Sequence, residues 1–214
     1  MYLPQQFEET DISVLHALIR AHPLGAWVTL TGDGLAANHL PFLLDAARGT
    51  HGTLYGHVAR ANPVWKALSG AAPAVVPAVV MFQGAEAYIT PSWYPSKQEH
   101  GKAVPTWNYA VVHAHGRPRA IEDRGWLLQH VSQLTAQQEA GRAQPWQVTD
   151  APADYIERML GAIVGIEIPV ERLEGKWKVS QNRPEADRLG VVAGLQARGD
   201  EASQAMAGLV RARV

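Results

Sequence analysis

The chain has 214 residues, 47% of them hydrophobic and 18% charged, which is an ordinary composition for one large globular domain. It contains no cysteine, so disulfides, thiolate zinc sites and cysteine nucleophiles are excluded. The net charge is −1 and the basic residues are scattered, so we do not expect the strong nonspecific nucleic-acid binding that needs a concentrated positive surface. A signal peptide and a membrane span are not expected either, and this favours a cytoplasmic protein.

The first third of the chain predicts one helix and then several strands. The helix follows a capping residue, Thr10 or Asp11, and Pro23 ends it. Pro41 has no amide hydrogen, so the strand that contains it lies at an edge or carries a bulge, and His39 is expected where the backbone is open. Turn residues separate three predicted strands, at positions 26–31, 35–44 and 53–58.

The segment after the third strand is suited to an anion. Asn62 is a favoured N-cap and Pro63 a favoured first helical residue, so a short helix is predicted to begin here. Its free amides would face the end of the strand that carries His57 and Arg60, which is a combination that can bind a phosphate. A purely structural interpretation, with Asn62 as a cap and Arg60 as a solvated charge, fits the same residues.

Polar and aromatic side chains are concentrated at positions 88–116. Residues 74–83 predict a buried strand, and positions 83–86 predict a turn that leads into this stretch. After Pro105 the large side chains Trp107, Tyr109, His113 and His115 recur at alternate positions of a predicted strand. The face that they form suits a flat conjugated ligand, although an aromatic ladder in a half-buried sheet would need the same residues.

The second half of the chain adds helices to the sheet. A helical insertion is predicted at about 122–161, in which His130 is expected on the apolar face, and C-terminal helices are predicted at about 184–213. Between them a strand near 162–170 leads to a second polar cluster around Trp177. The pattern predicts one mainly β (α+β) domain over residues 1–214, an antiparallel barrel with peripheral helices.

Several kinds of site are poorly supported by the sequence. His113 and His115 could bind a metal together with His39, His57 or His100, but no carboxylate pair accompanies them, so we predict no metal site. The chain has no Gly-x-Ser-x-Gly elbow, no P-loop and no GxGxxG motif, and we predict no catalytic residues. Noncovalent binding of an anionic aromatic molecule remains.

Six motifs resemble one known family. These are YLPQQFEE, NHLPFLLD, GHVARANPVW, YITPSWYPSK, VPTWNYAVVHAHG and GKWKVSQNRPEADRLGVVAGL, which together resemble the PaiB family of FMN-binding negative transcriptional regulators. The resemblance extends from Met1 to about Leu195. It implies a split β-barrel of the pyridoxamine-phosphate-oxidase type with an antiparallel Greek-key arrangement, a homodimer with FMN at the subunit interface, and a bacterial regulator of sporulation and degradative enzymes.

The resemblance also implies a set of cofactor-binding residues. In this hypothesis Arg60, Asn62 and Lys97 contact the phosphate, and Trp93 and Trp107 shape the ring pocket. Gln181 and Asn182 reach the flavin from the C-terminal segment. The complete set is His39, His57, Arg60, Asn62, Ser92, Trp93, Lys97, Trp107, Asn108, Tyr109, Lys178, Gln181 and Asn182.

The sequence is therefore compatible with three functions. The first is an FMN-binding regulator or sensor, the second a flavin-dependent oxidoreductase, and the third a haem-binding or haem-degrading protein on the same barrel. DNA binding is implied by the resemblance alone, because no helix combines a basic face with helix-turn-helix spacing.

Overall fold

The computed structural model describes residues 1–68 and 76–214, and it divides the chain into two units. The first unit comprises Met1–Ala21, Gln83–His113 and Glu174–Val214, and the second comprises His22–Phe82 and Ala114–Leu173. The start of the strand predicted at 74–83 lies outside the described residues. The assignment of the chain as one domain stays a prediction.

Nine strands and six α-helices make up the described part of the chain. The strands are β1 (Glu8–Glu9), β2 (Leu24–Thr31), β3 (Gly34–Pro41), β4 (Leu43–Asp45), β5 (Thr53–Ala59), β6 (Ala78–Ile89), β7 (Thr106–Gly116), β8 (Arg119–Ile121) and β9 (Ile163–Lys178). The helices are α1 (Ile12–Ala21), α2 (Ser96–His100), α3 (Arg124–Glu139), α4 (Ala153–Gly161), α5 (Glu185–Arg198) and α6 (Glu201–Arg211). Short 3-10 helices cover Gln5–Phe7, Pro63–Leu68, Pro91–Trp93 and Val148–Asp150.

The sheet is antiparallel in each described pairing, and its strand order is β3-β2-β6-β7-β9-β5-β4. The predicted mainly β fold with peripheral helices is confirmed. The order is open, with β3 and β4 at its ends, so the described strands do not close the predicted barrel through hydrogen bonds.

The core of the second unit is formed by the β2–β3 hairpin and by the paired strands β4, β5 and β9. Gly34 turns β2 into β3 with a φ of 106°, a backbone conformation that disfavours other residues. Pro41 ends β3, which lies at one end of the strand order, so the predicted edge position of this proline is confirmed. The single strand predicted at 35–44 is divided, because the chain resumes as β4 at Leu43. Fully buried aromatic and aliphatic side chains pack this unit, among them Trp27, Phe42, Leu54, Phe82, Ile166 and Ile168.

The turn predicted at positions 83–86 is wrong. Strand β6 runs without interruption from Ala78 to Ile89. Gly84 permits close packing here, because a Cβ at this position would lie 3.0 Å from Cδ1 of Leu18 on α1. A glycine beside polar residues resembles a turn in sequence, but here it lets a helix approach the strand.

In the first unit, α5 and α6 pack their apolar sides into the interior. Leu195, Met206 and Val210 are each fully buried, while Leu189 remains 52% exposed. Much of the apolar area of these two helices is therefore covered within the unit. None of the helices in the described ranges is long and apolar enough to cross a membrane.

Candidate functional site

Strand β7 presents a half-open face in the first unit. Asn108, Ala110 and Val112 are buried, whereas Trp107 and Tyr109 on the alternate positions are more accessible. Trp107 is 48% exposed, and its ring meets that of Tyr88 edge to face with the centroids 6.1 Å apart. The predicted alternation is confirmed, with the small residues facing the core and an aromatic surface left open.

Two lysines on β9 lie beside this aromatic surface. Lys178 donates hydrogen bonds to the Thr106 hydroxyl and to the Trp107 carbonyl, the latter at 2.8 Å. Lys176 donates to the Tyr2 carbonyl at 2.9 Å, and its Nζ lies 5.5 Å from the ring centroid of Tyr109. All of these partners are neutral, so the contacts hold the ammonium groups in place without cancelling their charge.

The environment of Lys178 disfavours its own charge. Burial lowers the pKa of the Lys178 ammonium, Tyr109 opposes this effect, and the nearby charges of Lys176 and Arg183 lower the pKa further. The described groups that shift this pKa include two cations, which repel the Lys178 charge, and no carboxylate. The Glu86 carboxylate on the same face accepts a 3.3 Å hydrogen bond from Nε1 of Trp107. An anion bound here would relieve that repulsion.

The turn after β9 anchors this arrangement. Ser180 has a φ of 66° although it is not a glycine, and its hydroxyl accepts a 2.8 Å hydrogen bond from Nδ2 of Asn108. Asn108 is fully buried, and its Oδ1 has no partner among the described residues. The Gln181 side chain bonds the backbone of Val179 and Trp177, while Asn182 is exposed.

Trp93 supports the helices of the first unit. Its indole covers Gly194, where a Cβ would lie 2.3 Å from the ring, and the Arg198 guanidinium carbon is 4.8 Å from the ring centroid. Ser92 and Lys97 are exposed. Trp93 thus packs a helix, and the hypothesis that it shapes the ring pocket stays a prediction.

Four predicted site residues lie in the second unit, and they do not share one set of contacts. The Arg60 guanidinium bonds the carboxylate of Glu122 at 2.5 Å and the Gly161 carbonyl at 2.8 Å. Asn62 accepts from the Val64 amide at 3.1 Å, which confirms the predicted cap. Its Nδ2 also donates to Asn38 at 2.7 Å, while the neighbouring His39 points to the other face of β3.

His57, the fourth, pairs with a residue that the sequence did not assign to a site. Nδ1 of His57 lies 3.1 Å from Nε2 of His130 on α3, and the His130 ring stacks on Trp126 with the centroids 5.2 Å apart. Burial, and then the charge of His57, lowers the pKa of His130 to about 4. Burial also lowers the pKa of His57, so both rings are neutral at neutral pH.

His130 also lines a polar cavity of about 480 Å³ in the same unit. Three glutamines spaced four residues apart on α3 line it, and Arg48 faces them. The Arg48 charge is already paired with the buried carboxylate of Glu167 at 2.9 Å. Sequence could have indicated this cavity only through the spacing of Gln129, Gln133 and Gln137.

The described residues of the first unit fit the requirements of a flavin mononucleotide. Lys178 and Lys176 offer charge for a phosphate, and the open Trp107 ring offers a face for a flat heterocycle. Of the thirteen predicted residues, Ser92, Trp93, Lys97, Trp107, Asn108, Tyr109, Lys178, Gln181 and Asn182 lie in this unit. The arrangement can therefore bind an anionic planar molecule.

Comparison with known proteins gives matches over most of the chain. The sequence profile of a family described as "Putative FMN-binding domain" matches residues 1–172. An uncharacterised protein of Emericella nidulans is 37% identical over an alignment that covers 100% of this chain and 97% of the relative. The protease synthase and sporulation protein PAI 2 of Bacillus subtilis is 32% identical, with 92% of this chain and 89% of the relative covered.

A solved structure with little sequence identity shares the fold. The FAD and haem binding protein of Mycobacterium smegmatis superimposes with a TM-score of 0.58 at 14% identity, covering 80% of this chain and 73% of that one. This likeness supports the split-barrel architecture that the motifs implied.

Proposed function

The chain belongs to the FMN-binding domain family identified by that profile match, and we propose that it binds FMN through the aromatic and cationic face of β7 and β9. The observation that carries this proposal is the position of Lys178, held between two neutral oxygen atoms and repelled by neighbouring cations. The hydrogen-bond partners of Lys178 are neutral, and a dianionic phosphate is a negatively charged partner for it.

Each residue has a distinct role in the proposal. Lys178 and Lys176 bind the phosphate, and the exposed Trp107 ring covers part of the isoalloxazine. The bond between Asn108 and Ser180 fixes the turn that positions Lys178. When FMN is bound, the isoalloxazine supplies the electron-transfer chemistry, and the protein supplies binding and electrostatics.

We further propose that the protein is a homodimer with a regulatory function. Trp107 and Tyr88 are 48% and 42% exposed, and a second copy of the chain that covered them would enclose the ligand. The motif resemblance to the PaiB family is the basis for proposing a cytoplasmic negative transcriptional regulator, and the similarity to PAI 2, which is named a protease synthase and sporulation protein, agrees with that family. Because the net charge is −1, we propose that any repression is indirect and does not involve direct operator binding.

Titration of the purified protein with FMN tests the binding proposal. Lys178→Met should weaken FMN binding by about 10- to 100-fold, because a charged hydrogen bond to phosphate contributes about 1.5–3 kcal/mol. Arg20→Met removes the same charge from an exposed position of α1 and should leave the affinity unchanged. Equal affinity of the Lys178 variant and the native protein would reject this site.

Lys97 and Asn108 provide a second, independent comparison. If Lys97 also binds the phosphate, Lys97→Ala should reduce FMN affinity, and Asn108→Ala should reduce it through the Ser180 turn. Loss in either variant supports the predicted site, whereas full affinity in both restricts it to the lysines of β9. A gel shift with upstream DNA at moderate salt tests direct operator binding, and no shift is expected.

A further inference from the structure

A separate cleft in the second unit contains groups that have no role in the FMN site proposed on β7 and β9. It has a volume of about 280 Å³, and α3, α4 and the segment around Val148 form most of its walls. Val131, Ile156 and Leu160 give these walls an apolar character, and His57 on β5 contributes an imidazole. Trp146, Tyr155 and Met159 are each 47% exposed, so part of the apolar lining is open to water.

The hydrogen bonds of the two histidines determine what His57 offers to this cleft. One proton is shared between Nδ1 of His57 and Nε2 of His130, which lie 3.1 Å apart. His130 is only 3% exposed, and its Nδ1 has no partner among the described residues. A buried N–H group without an acceptor is more costly than a nitrogen lone pair without a donor, so the His130 proton belongs on Nε2.

The tautomer of His57 follows from that of His130. If Nε2 of His130 donates to Nδ1 of His57, the neutral His57 ring carries its own proton on Nε2. This Nε2 has no protein partner in the part of the chain that the structure describes. The cleft therefore combines an apolar lining with a hydrogen-bond donor on His57.

We propose that this cleft binds a small, uncharged apolar molecule with one hydrogen-bond acceptor, such as an aryl ketone, whose carbonyl oxygen accepts from Nε2 of His57. The volume is slightly below the ~300–1,000 Å³ of sites for drug-sized ligands, so the occupant has about one ring with a short substituent. Such a molecule also removes the exposed faces of Trp146 and Met159 from water. A charged ligand is disfavoured by the apolar walls.

Methionine methyl NMR can test this binding directly. The chain has four methionines, of which Met159 lines the cleft and Met206 is buried in the first unit as an internal reference. Acetophenone should shift the Met159 methyl signal and leave that of Met206 unchanged. Ethylbenzene has a similar shape but no acceptor, and it should bind about 3- to 10-fold more weakly because it lacks a hydrogen bond of about 0.5–1.5 kcal/mol.

Three variants separate the hydrogen bond from the cleft itself. His57→Phe should abolish the preference for acetophenone, while His22→Phe, at an exposed histidine of the same unit, should retain it. Ala151→Trp should fill the cleft and prevent binding of both probes without removing the histidine pair. Equal affinity of the native protein for both probes, or no Met159 shift with either, would overturn the proposal.

Discussion

Two regions of the molecule give their ionisable groups opposite environments. One is the face around Lys178, and the other is the buried pair of His57 and His130. Lys178 is held by neutral oxygen atoms on a half-open surface, where burial and two neighbouring cations lower the pKa of its ammonium group. His130 lies on the buried side of α3, and burial lowers the pKa of its ring to about 4, so the ring is neutral. The first region is thus suited to bind an anion, and the second to direct a neutral donor into an apolar cleft.

The largest effect is expected from disrupting the packing of α5 against the Pro91–Trp93 segment in the first unit, which contains the charged face. Gly190→Ala would place a Cβ 2.0 Å from the Trp93 carbonyl, so we expect a loss of about 3 kcal/mol or more in the free energy of unfolding. Gly208→Ala on α6 meets no atom within 4 Å and should stabilise the helix by about 0.5–1 kcal/mol. Urea unfolding of both variants measures the difference, and similar stabilities would contradict the described packing.

The buried pair predicts a pH dependence in the acid range. The pKa of His130 is about 4 in the fold, against an ordinary value of 6.5 for histidine, so the unfolded chain takes up a proton first as the pH falls. The free energy of unfolding should therefore decrease by about 2–3 kcal/mol between pH 6.5 and 4 through this residue alone.

His130→Leu isolates that contribution. Relative to the native protein, the variant should lose less stability between pH 6.5 and 4, as measured by urea unfolding at several pH values. His22→Leu, at an exposed histidine, should follow the native curve. Parallel curves for the His130 variant and the native protein would show that burial does not keep this ring neutral.

The Ser180 turn allows a finer test of how the charged face is held. Ser180→Ala keeps the backbone at a φ of 66° and leaves Nδ2 of Asn108 without an acceptor, so it should cost about 1–2 kcal/mol. Ser180→Gly loses the same hydrogen bond but adopts this conformation freely, so it should be about 1 kcal/mol more stable than the alanine variant. Thermal or urea unfolding distinguishes the two, and the opposite order would exclude backbone strain at this position.

The smallest expected effect concerns Lys178 in the absence of ligand. Because its pKa is lower in the fold than in the unfolded chain, its charge opposes folding below the folded pKa, and this penalty decreases as the pH rises toward 10.5. Lys178→Met should therefore equal or exceed the native stability at pH 7, by less than about 1 kcal/mol. This advantage should shrink in alkaline solution, and a variant that is less stable at pH 7 would contradict the prediction.

Local sequence patterns determined much of the secondary structure. The alternation after Pro105 correctly predicted a strand with Trp107 on the open side. Asn62 likewise caps the 3-10 helix Pro63–Leu68 as predicted. Both signals depend on near neighbours in the chain. The turn predicted at 83–86 failed for the complementary reason. A Cβ at Gly84 would lie 3.0 Å from Cδ1 of Leu18, so the packing that favours glycine here comes from a residue far away in sequence.

The sequence by itself determined the strand alternation, the helical segments and the motifs that identify the family. The tertiary structure alone decided which side chains meet. The contacts of His57 with His130, of Asn108 with Ser180, and of Lys178 with Thr106 join residues 72 or 73 positions apart. No local period encodes such contacts, because they arise only when β5 meets α3 and when β7 meets the end of β9.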